Sequence, residues 1–585
     1  MSLKAQKSHI DLPCTAFLTN FALLLHEEHA GRSGKKGHKN NYNKMKHYLS
    51  YIQDVMNSNW NGGAITDFQG AVSYTYGELA AKVAWLDILF DKLGLRAGDK
   101  VAICGRNSSN WGVSYLAVAA ARGVVVSILP DFTSDSIHEL VNHSDARIMF
   151  VGSWVKSRLE FDKMPAIEAF IAIEDFSVLK SKIAVEHKEI DALFAQKYPD
   201  GFSARDVHYP IDNFDEVALI NYTSGSTGSP KGVMITHRSL SSNVIYGQDH
   251  IPNNPSLTYV SMLPLAHMFG LMFEFLYQMA GGTHVYFLTK SLTPTMLLSA
   301  FSEVHPYMIL TVPLVVEKIF QKKVLPAINK PLVKVLWYTP LVNIPIRRKV
   351  YTQVMNAFGG KLQHLIIGGA ALNKDVEKCL RQIQFPYLCG YGMTECGPLI
   401  CYESWRNFRF GSCGKVVDRM ELRIDSDAPC KHEGEVQVRG AAVMRGYYKN
   451  LQATDNIFTD DGWMRTGDIG VLDKDGNLFL RGRSKNMILG ASGQNIYPEE
   501  IEDKLNSLPS VAESVVVERD GRLVALVYPE DYVPEKKQEF ALIMADNLQK
   551  LNRLLPAYSK VSDIEIVEQE FEKTPKRSIK RFLYK

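Results

Sequence analysis

The sequence predicts an α/β protein: mainly parallel sheets covered by helices, then a small β unit, then a smaller α+β unit. Three observations carry this expectation. From Thr75 to beyond residue 370, short apolar runs alternate with helical patterns, as strand–helix–strand connections require. Near Leu422 the texture changes to short strands and turns. After Arg483 a compact run of helix, two strands and helix follows.

Length and composition set the frame. A chain of 585 residues, at about 150 residues per domain, contains several folding units. Hydrophobic residues are 46% and charged ones 22%, a globular balance that can bury large cores. A net charge of +3 is too near neutral to point to nucleic acid. Eight cysteines without CxxC spacing indicate neither a disulfide framework nor a zinc cage. Cys389, Cys396 and Cys401 read as small buried thiols of a reducing cytosol. No secretory signal opens the chain. The longest apolar stretch, Met268 to Leu288, is broken by Glu274, Gln278, Gly281, Gly282 and His284 and makes a poor membrane span. It reads as a buried helix ending at Gly281-Gly282, followed by a strand. The expected location is cytoplasmic, with transient contact at a membrane surface left open.

The elements follow in order. Residues 1–44 differ from the rest: Met1-Ser-Leu resembles a cloning remnant, and Gly31 to Lys46 is basic, Gly/Asn-rich and without apolar periodicity, so it reads as disordered. Met45 opens a convincing helix and reads as the natural start. Thr75 and Glu78 form a capping box for a helix running to Leu93. Lys100 to Cys104 is a strand, Asn110 to Ala121 a helix, and Val124 to Leu129 a buried strand. The β unit contains ELRID, GEVQVRG and VLDKDGNLFLRGR, with Asp475-Gly476 as a hairpin turn. Helix Pro498 to Leu508, strands Ala512 to Glu518 and Leu523 to Tyr528, and helix Glu535 to Leu554 complete the chain. The expected division is a basic extension at 1–44, an N-terminal domain at 45–482 and a mobile C-terminal domain at 483–585.

Residues 222–232, YTSGSTGSPKG, hold three glycines, five serine or threonine hydroxyls and a lysine between two apolar runs. This reads as strand, loop, strand. Gly225, Gly228 and Gly232 permit backbone approaches that a Cβ forbids. Thr223, Ser224, Ser226 and Thr227 offer hydroxyls beside free N–H groups, and Lys231 adds a positive charge, so the loop can wrap a polyphosphate. It is not a Walker A loop, because Pro230 precedes Lys231 and an apolar strand follows instead of a helix. A flexible Gly/Ser turn is the bland alternative. In this residue order, the loop resembles the phosphate-binding loop of adenylate-forming enzymes: acyl-CoA synthetases, luciferases and peptide-synthetase adenylation domains.

Further segments carry chemistry. In GYGMTECGP, residues 390–398, Tyr391 offers a flat ring for a base, Thr394 a hydroxyl for a phosphate, and Glu395 a carboxylate for Mg²⁺. The segment, with Gly392, is similar to the family's second nucleotide motif. HLIIGGAAL, residues 364–372, resembles the adenine-flanking strand and loop, where Gly368, Gly369 and Ala370 leave space. DGWMRTGDIG and RGRSKNMILG resemble the ribose-binding pair, with Asp468 fifteen residues before Arg483. The stretch EGEVQVRGAAVMRGYYKN is similar to the segment that ordinarily precedes that pair. In PLAHMFG, residues 264–270, His267 is read either as a packing residue or, by resemblance, as a substrate-gate residue bordering the carboxylate, rather than a general base.

The motifs run in the family's order from about residue 70 onwards, and the chain is most similar to bacterial long-chain fatty-acid ligases, chiefly over MILGASGQNIYPEEIE. The resemblance implies ATP, Mg²⁺ and coenzyme A. A carboxylate attacks the α-phosphate, releasing pyrophosphate; a pantetheine thiol then displaces AMP. Thr223 to Lys231 would hold the β- and γ-phosphates, Glu395 the metal, and Thr394 the α-phosphate or acyl oxygen. Lys485 falls at the family's hinge, and Gly493 beside its pantetheine channel.

The chain departs from the family at FEKTPKRSIKRFLYK, where Ser578 aligns with the C-terminal lysine. If the segment is extended, Lys576 and Lys580 share a face with Ser578, so either is a candidate replacement. A solvated basic tail with weakened adenylation is the plain alternative. Two rival functions stay open: loading of a carrier protein's phosphopantetheine, and a pseudoenzyme that senses acyl chains or ATP. The joint presence of Lys231, Glu395, Asp468 and Arg483 argues against the sensor.

Overall fold

The computed structural model describes residues 45–585 except 224–229, 252, 291–292, 321–323, 370–371, 490–494, 520, 575–578 and 585. The largest sheet has eight strands in the order Gly446–Tyr447, Lys231–Thr236, Val217–Thr223, Val124–Ile128, Lys100–Cys104, Ala146–Val151, Ala169–Ala172 and Val178–Ser181. Its centre is parallel and only its margins are antiparallel. Val124–Ile128 is buried at every position, as a strand covered on both faces must be. Helix Tyr76–Leu93 begins at the expected capping box, with Thr75 Oγ1 accepting from Glu78 N at 3.2 Å and Glu78 Oε2 from Thr75 N at 2.8 Å. It stops where Gly94 turns left-handed at φ 69°.

A second sheet runs Thr258–Ser261, His284–Phe287, Gly63–Asp67, Ser73–Thr75, and a third, all parallel, runs Met308–Thr311, His364–Ile367, Tyr387–Cys389. The helix expected from Met268 is not uniform. A turn of α-helix at Met268–Gly270 widens to a π-helix over Leu271–Leu276 and returns to α over Tyr277–Gly281. The Gln278 amide donates to Phe273 O at 2.9 Å, five residues back, and so satisfies a carbonyl in the widened turn. Gly282 then ends the helix at φ 81°.

The β unit is antiparallel throughout, in the order Met420–Asp425, Gly434–Gly440, Met464–Leu472, Leu478–Arg483. Asp473 Oδ1 accepts from Asp475 N at 2.8 Å and Asn477 N at 2.9 Å, fixing the turn at Asp475-Gly476. In the last unit, helices Pro498–Leu505 and Lys537–Leu554 pack with strands Val511–Arg519, Arg522–Pro529 and Val561–Ile566. Buried Glu502 accepts from Val516 N at 2.6 Å and pairs with Arg581, which ties the C-terminal segment to the first of these helices.

His47 and His237 are both buried, their ring centroids 5.1 Å apart, with Asn213 3.1 Å from His237 Nε2. Burial pushes His47 down to about 4 and His237 down to about 3. Both values lie below the 6.5 of a free imidazole. The unfolded chain therefore takes up protons that the native one refuses, and stability present above pH 6.5 is lost as pH falls below it. His47→Asn keeps an N-cap acceptor for Leu49 N, which His47 Nδ1 supplies at 3.2 Å. Denaturant titrations from pH 6 to pH 5 should show a pH slope of stability smaller by up to about 1.4 kcal/mol per pH unit in that variant.

Candidate active site

Strands Val217–Thr223 and Lys231–Thr236 form a hairpin whose register pairs Thr223 with Lys231 and Tyr222 with Gly232. The strand–loop–strand reading holds on both flanks. Ser224, Gly225, Ser226, Thr227 and Gly228 lie outside the described residues. The Lys231 ammonium sits 4.9 Å from the centre of the Tyr447 ring. The Tyr447 hydroxyl donates to Glu395 Oε1 at 2.9 Å. Tyr447 reaches this position because Gly446–Tyr447 pairs antiparallel with Met234 and Val233. Sequence reasoning passed over Tyr447 as a site residue; the only signal was the segment GYY beside the ribose-binding motifs.

Helix His237–His250 fixes the second motif from below. It carries a buried polar face of Ser239, Ser241, Ser242 and Asn243. Ser239 Oγ donates to Ala442 O at 2.6 Å, while Asn243 donates to Cys396 O at 3.3 Å and accepts from Leu399 N at 3.0 Å. Met444 N donates to Glu395 O at 2.8 Å. Two glycines are dictated by these approaches. A Cβ on Gly397, at φ 61°, would lie 2.2 Å from Ser239 Oγ, and one on Gly392 would lie 2.2 Å from Pro398 O. Thr394 and Glu395 are thus buried in a rigid turn.

The ribose-motif residues converge as well. Asp468 and Arg483 are register partners, with Arg483 Nε 3.1 Å from Asp468 Oδ1. Tyr391 donates its hydroxyl to Asp468 Oδ2 at 2.7 Å, so it contributes an anchoring bond as well as a ring. Burial first, then the neighbouring Asp468 carboxylate, push the Tyr391 hydroxyl well up. Lys485 belongs to the same electrostatic environment. Burial and the Arg483 cation hold its ammonium below the usual range, with Lys231 acting the same way and Asp468 and Glu395 opposing. Gly493 lies outside the described residues.

Beside these groups lies an apolar cavity of about 90 Å³. His267, Phe269 and Phe273 line it together with Gly368 and Gly369, and Tyr391 and Thr394 border it. A Cβ on Gly368 would come within 3.1 Å of the Phe269 ring. Ala370 lies outside the described residues. His267 Nδ1 accepts from Phe269 N at 3.3 Å, so the ring caps the short helix while also facing the cavity. The preceding segment is pinned by polar side chains. Asn107 accepts from Leu265 N at 2.8 Å, Asn221 donates to Ala266 O at 2.8 Å, and Glu274 accepts from Met262 N at 3.0 Å and Leu263 N at 2.8 Å. Glu274, fully buried, also accepts from Ser261 and Tyr259, yet burial outweighs these donors and lifts its carboxyl to about 8. The sequence offered Glu274 only as an interruption of an apolar run.

Lys580 is less central in its contacts. Its ammonium lies 3.2 Å from Glu572 Oε2, and the flanking Lys573 and Ile579 pair across an isolated antiparallel bridge. Lys576 and Ser578 lie outside the described residues. Among the described residues there is no cluster of three His, Cys, Asp or Glu that would cage a metal ion. Mg²⁺ needs only one or two protein carboxylates when phosphate oxygens complete its shell, and Glu395 fits that requirement.

Three motif contacts thus stand near one another: Lys231 over the Tyr447 ring that also reaches Glu395, Asp468 held between Arg483 and Tyr391, and an apolar cavity bordered by Tyr391 and Thr394. Residues 56–448 match the AMP-binding enzyme family and residues 485–584 match the AMP-binding enzyme C-terminal domain. The chain belongs to this family, the adenylate-forming superfamily. It is similar to long-chain-fatty-acid–CoA ligase 4 of Saccharomyces cerevisiae, 28% identical over 78% of this chain and 72% of that protein. It is also similar to luciferin 4-monooxygenase of Nipponoluciola cruciata, 27% identical over 83% and 86% of the two chains. Among solved structures, ATP-bound MatB from Rhodopseudomonas palustris superposes with a TM-score of 0.72 at 22% identity, covering 92% of this chain and 98% of that one. O-succinylbenzoate coenzyme A synthetase from Bacillus subtilis, in complex with ATP and magnesium ion, gives 0.69 at 21% identity over 91% and 98%. The fold is that of the adenylate-forming enzymes, and the activity class is the AMP-forming acid–CoA ligase.

Tyr447 offers a direct test of this geometry. Tyr447→Phe keeps the ring under Lys231 and removes one hydrogen bond to a carboxylate, so acid-dependent ATP–pyrophosphate exchange should slow about tenfold. Tyr447→Leu, which also removes the ring, should be slower again. An unchanged rate in Tyr447→Phe would mean that the hydroxyl does not hold Glu395 for the reaction.

Proposed function

We propose that this chain is a fatty-acid–CoA ligase. The observation that supports the reading is the apolar cavity bordered by Tyr391 and Thr394, from which an alkyl chain would present its carboxylate to the nucleotide motifs. In the first step a carboxylate oxygen bonds to the α-phosphorus of ATP and pyrophosphate leaves, giving acyl-AMP. In the second, the thiol sulfur of coenzyme A bonds to the acyl carbon and AMP leaves. Catalysis of the first step is positioning and electrostatics. Lys231, with Thr223 and residues 224–228, holds the β- and γ-phosphates; Thr394 orients the α-phosphate or acyl oxygen; Asp468 and Arg483 hold the ribose; Tyr391, Gly392, Gly369 and Ala370 flank the base. Magnesium, held by Glu395, would neutralise phosphate charge and favour departure of pyrophosphate.

The proposed architecture is a basic extension at 1–44, a nucleotide-binding domain at 45–482 and a C-terminal domain at 483–585 that turns about Lys485, with Gly493 beside the thiol channel. Seven free cysteines among the described residues fit a cytoplasmic location. The compact span after Lys485 favours free coenzyme A over a carrier protein as acceptor. Release of AMP with thioester formation on adding coenzyme A alone would support the ligase; a strict need for a phosphopantetheinylated protein would support carrier loading. Binding of acid or ATP without pyrophosphate release would support the sensor.

We propose that this cavity limits the length of acid accepted. Its volume of about 90 Å³ is well below the roughly 300–1,000 Å³ of typical ligand cavities. A long alkyl chain therefore needs Phe269 or Phe273 to swing aside. Across saturated acids of graded length with coenzyme A supplied, Phe269→Ala should shift the kcat/KM optimum towards longer acids relative to the wild type. An unaltered length profile would exclude this cavity as the chain's path.

Ser578 leaves the adenylation cation to be assigned. Lys576 and Lys580 are the proposed replacements, and Lys485 is the comparison because it already shares the electrostatic environment of Lys231, Glu395, Asp468 and Arg483. Lys576→Ala or Lys580→Ala should slow fatty-acid-dependent exchange by at least tenfold. If neither does and Lys485→Ala does, the hinge lysine supplies the charge instead.

A further inference from the structure

Between Glu317 and Asp375 the sequence contains eight lysines, two arginines and no aspartate or glutamate. The same stretch concentrates exposed apolar surface. Leu332 is 73% exposed, Val335 65% and Leu341 81%, and Tyr338, Val342 and Ile344 are also exposed. Six large apolar side chains open to solvent within thirteen residues are far from the scattered single exposures normal for a surface.

The orientation of this segment is fixed by its own packing. Helix Pro331–Tyr338 buries Trp337, whose indole N–H donates to Gln382 Oε1 at 2.8 Å. Arg347, on helix Asn343–Ala357, lies over the Trp337 ring at 5.4 Å and donates to Trp337 O at 3.1 Å. With the indole turned inward, the helical period directs Leu332 and Val335 to the opposite side. Lys330, Lys334, Arg348 and Lys349 are exposed around the apolar residues. Side chains of this kind place aliphatic groups below the headgroups of a bilayer and ammonium or guanidinium groups among them.

We propose that residues 330–349 form a docking surface for an anionic lipid bilayer. The occupant is chosen by charge: residues 330–349 carry five cations, Lys330, Lys334, Arg347, Arg348 and Lys349, and no anion, which is complementary to acidic headgroups. A second copy of the chain would bring the same cations against each other. The proposal is independent of which acid the enzyme activates.

The test is co-sedimentation of the full chain with phosphatidylcholine vesicles, with and without phosphatidylglycerol, at low and high salt. The wild type should favour the anionic vesicles and lose that preference at high salt. Lys334→Gln with Lys349→Gln should weaken binding about fivefold per residue, roughly 25-fold together. Leu332→Asp with Leu341→Asp should reduce it at least tenfold. Both double variants should keep the wild-type melting temperature and wild-type turnover of a short, soluble acid. The basic residues of 1–44 remain in every variant, so undiminished binding in the variants would assign adhesion to that segment and overturn the proposal. No preference for anionic vesicles would overturn it too. So would a dimer in sedimentation velocity that Leu332→Asp with Leu341→Asp dissociates without lipid.

Discussion

Tyr447 joins the two opposite charges on which the candidate chemistry depends. Its ring lies under the Lys231 ammonium and its hydroxyl reaches Glu395. A half-buried lysine and a buried glutamate beside the same tyrosine would otherwise tend to pair directly, and a direct pair would compete with phosphate and metal for both groups. An aromatic ring attracts the cation more weakly than a carboxylate does, and a phenol hydroxyl occupies one carboxylate oxygen without neutralising it. Both charges are held in place and remain usable.

That arrangement rests on long-range tethers, not on local loop structure. Helix His237–His250 follows directly from the hairpin of Val217–Thr223 and Lys231–Thr236, and its Ser239 and Asn243 bind the backbone at 396, 399 and 442. One helix therefore sets the distance between the hairpin, the Glu395 turn and the strand that delivers Tyr447. The Asp468–Arg483 pair is placed in the same way by strand register and locked by Tyr391. The segment leading to the apolar cavity is held by Asn107, Asn221 and Glu274. Each motif is therefore held by residues outside it.

This explains what could be read in the sequence. The capping box at Thr75, the strand at Lys100–Cys104 and the hairpin at Asp475-Gly476 are local events governed by neighbours a few residues away, and they appear where periodicity and turn chemistry place them. The motif residues Tyr391, Asp468 and Arg483 were legible because their order matches a family. Tyr447 was not, because its partner Glu395 is 52 residues distant and nothing in GYY announces a contact. Glu274 and Asn243 were hidden for the same reason: a buried polar residue looks like a surface residue until its partners are known. The widened turn at Leu271–Leu276 has no compositional mark, and it is the packing of Gln278 onto Phe273 that reveals it.

The ion pair between Arg581 and buried Glu502 gives the C-terminal segment a structural weight that its position alone does not suggest. Proteolytic trimming beyond Lys580 would strand a carboxylate in an interior that also holds Val516 N against it. An unpaired buried charge of this kind destabilises far more than an exposed pair stabilises. A purification tag or fusion partner is therefore better attached through a flexible spacer beyond Lys585 than spliced in place of the final residues.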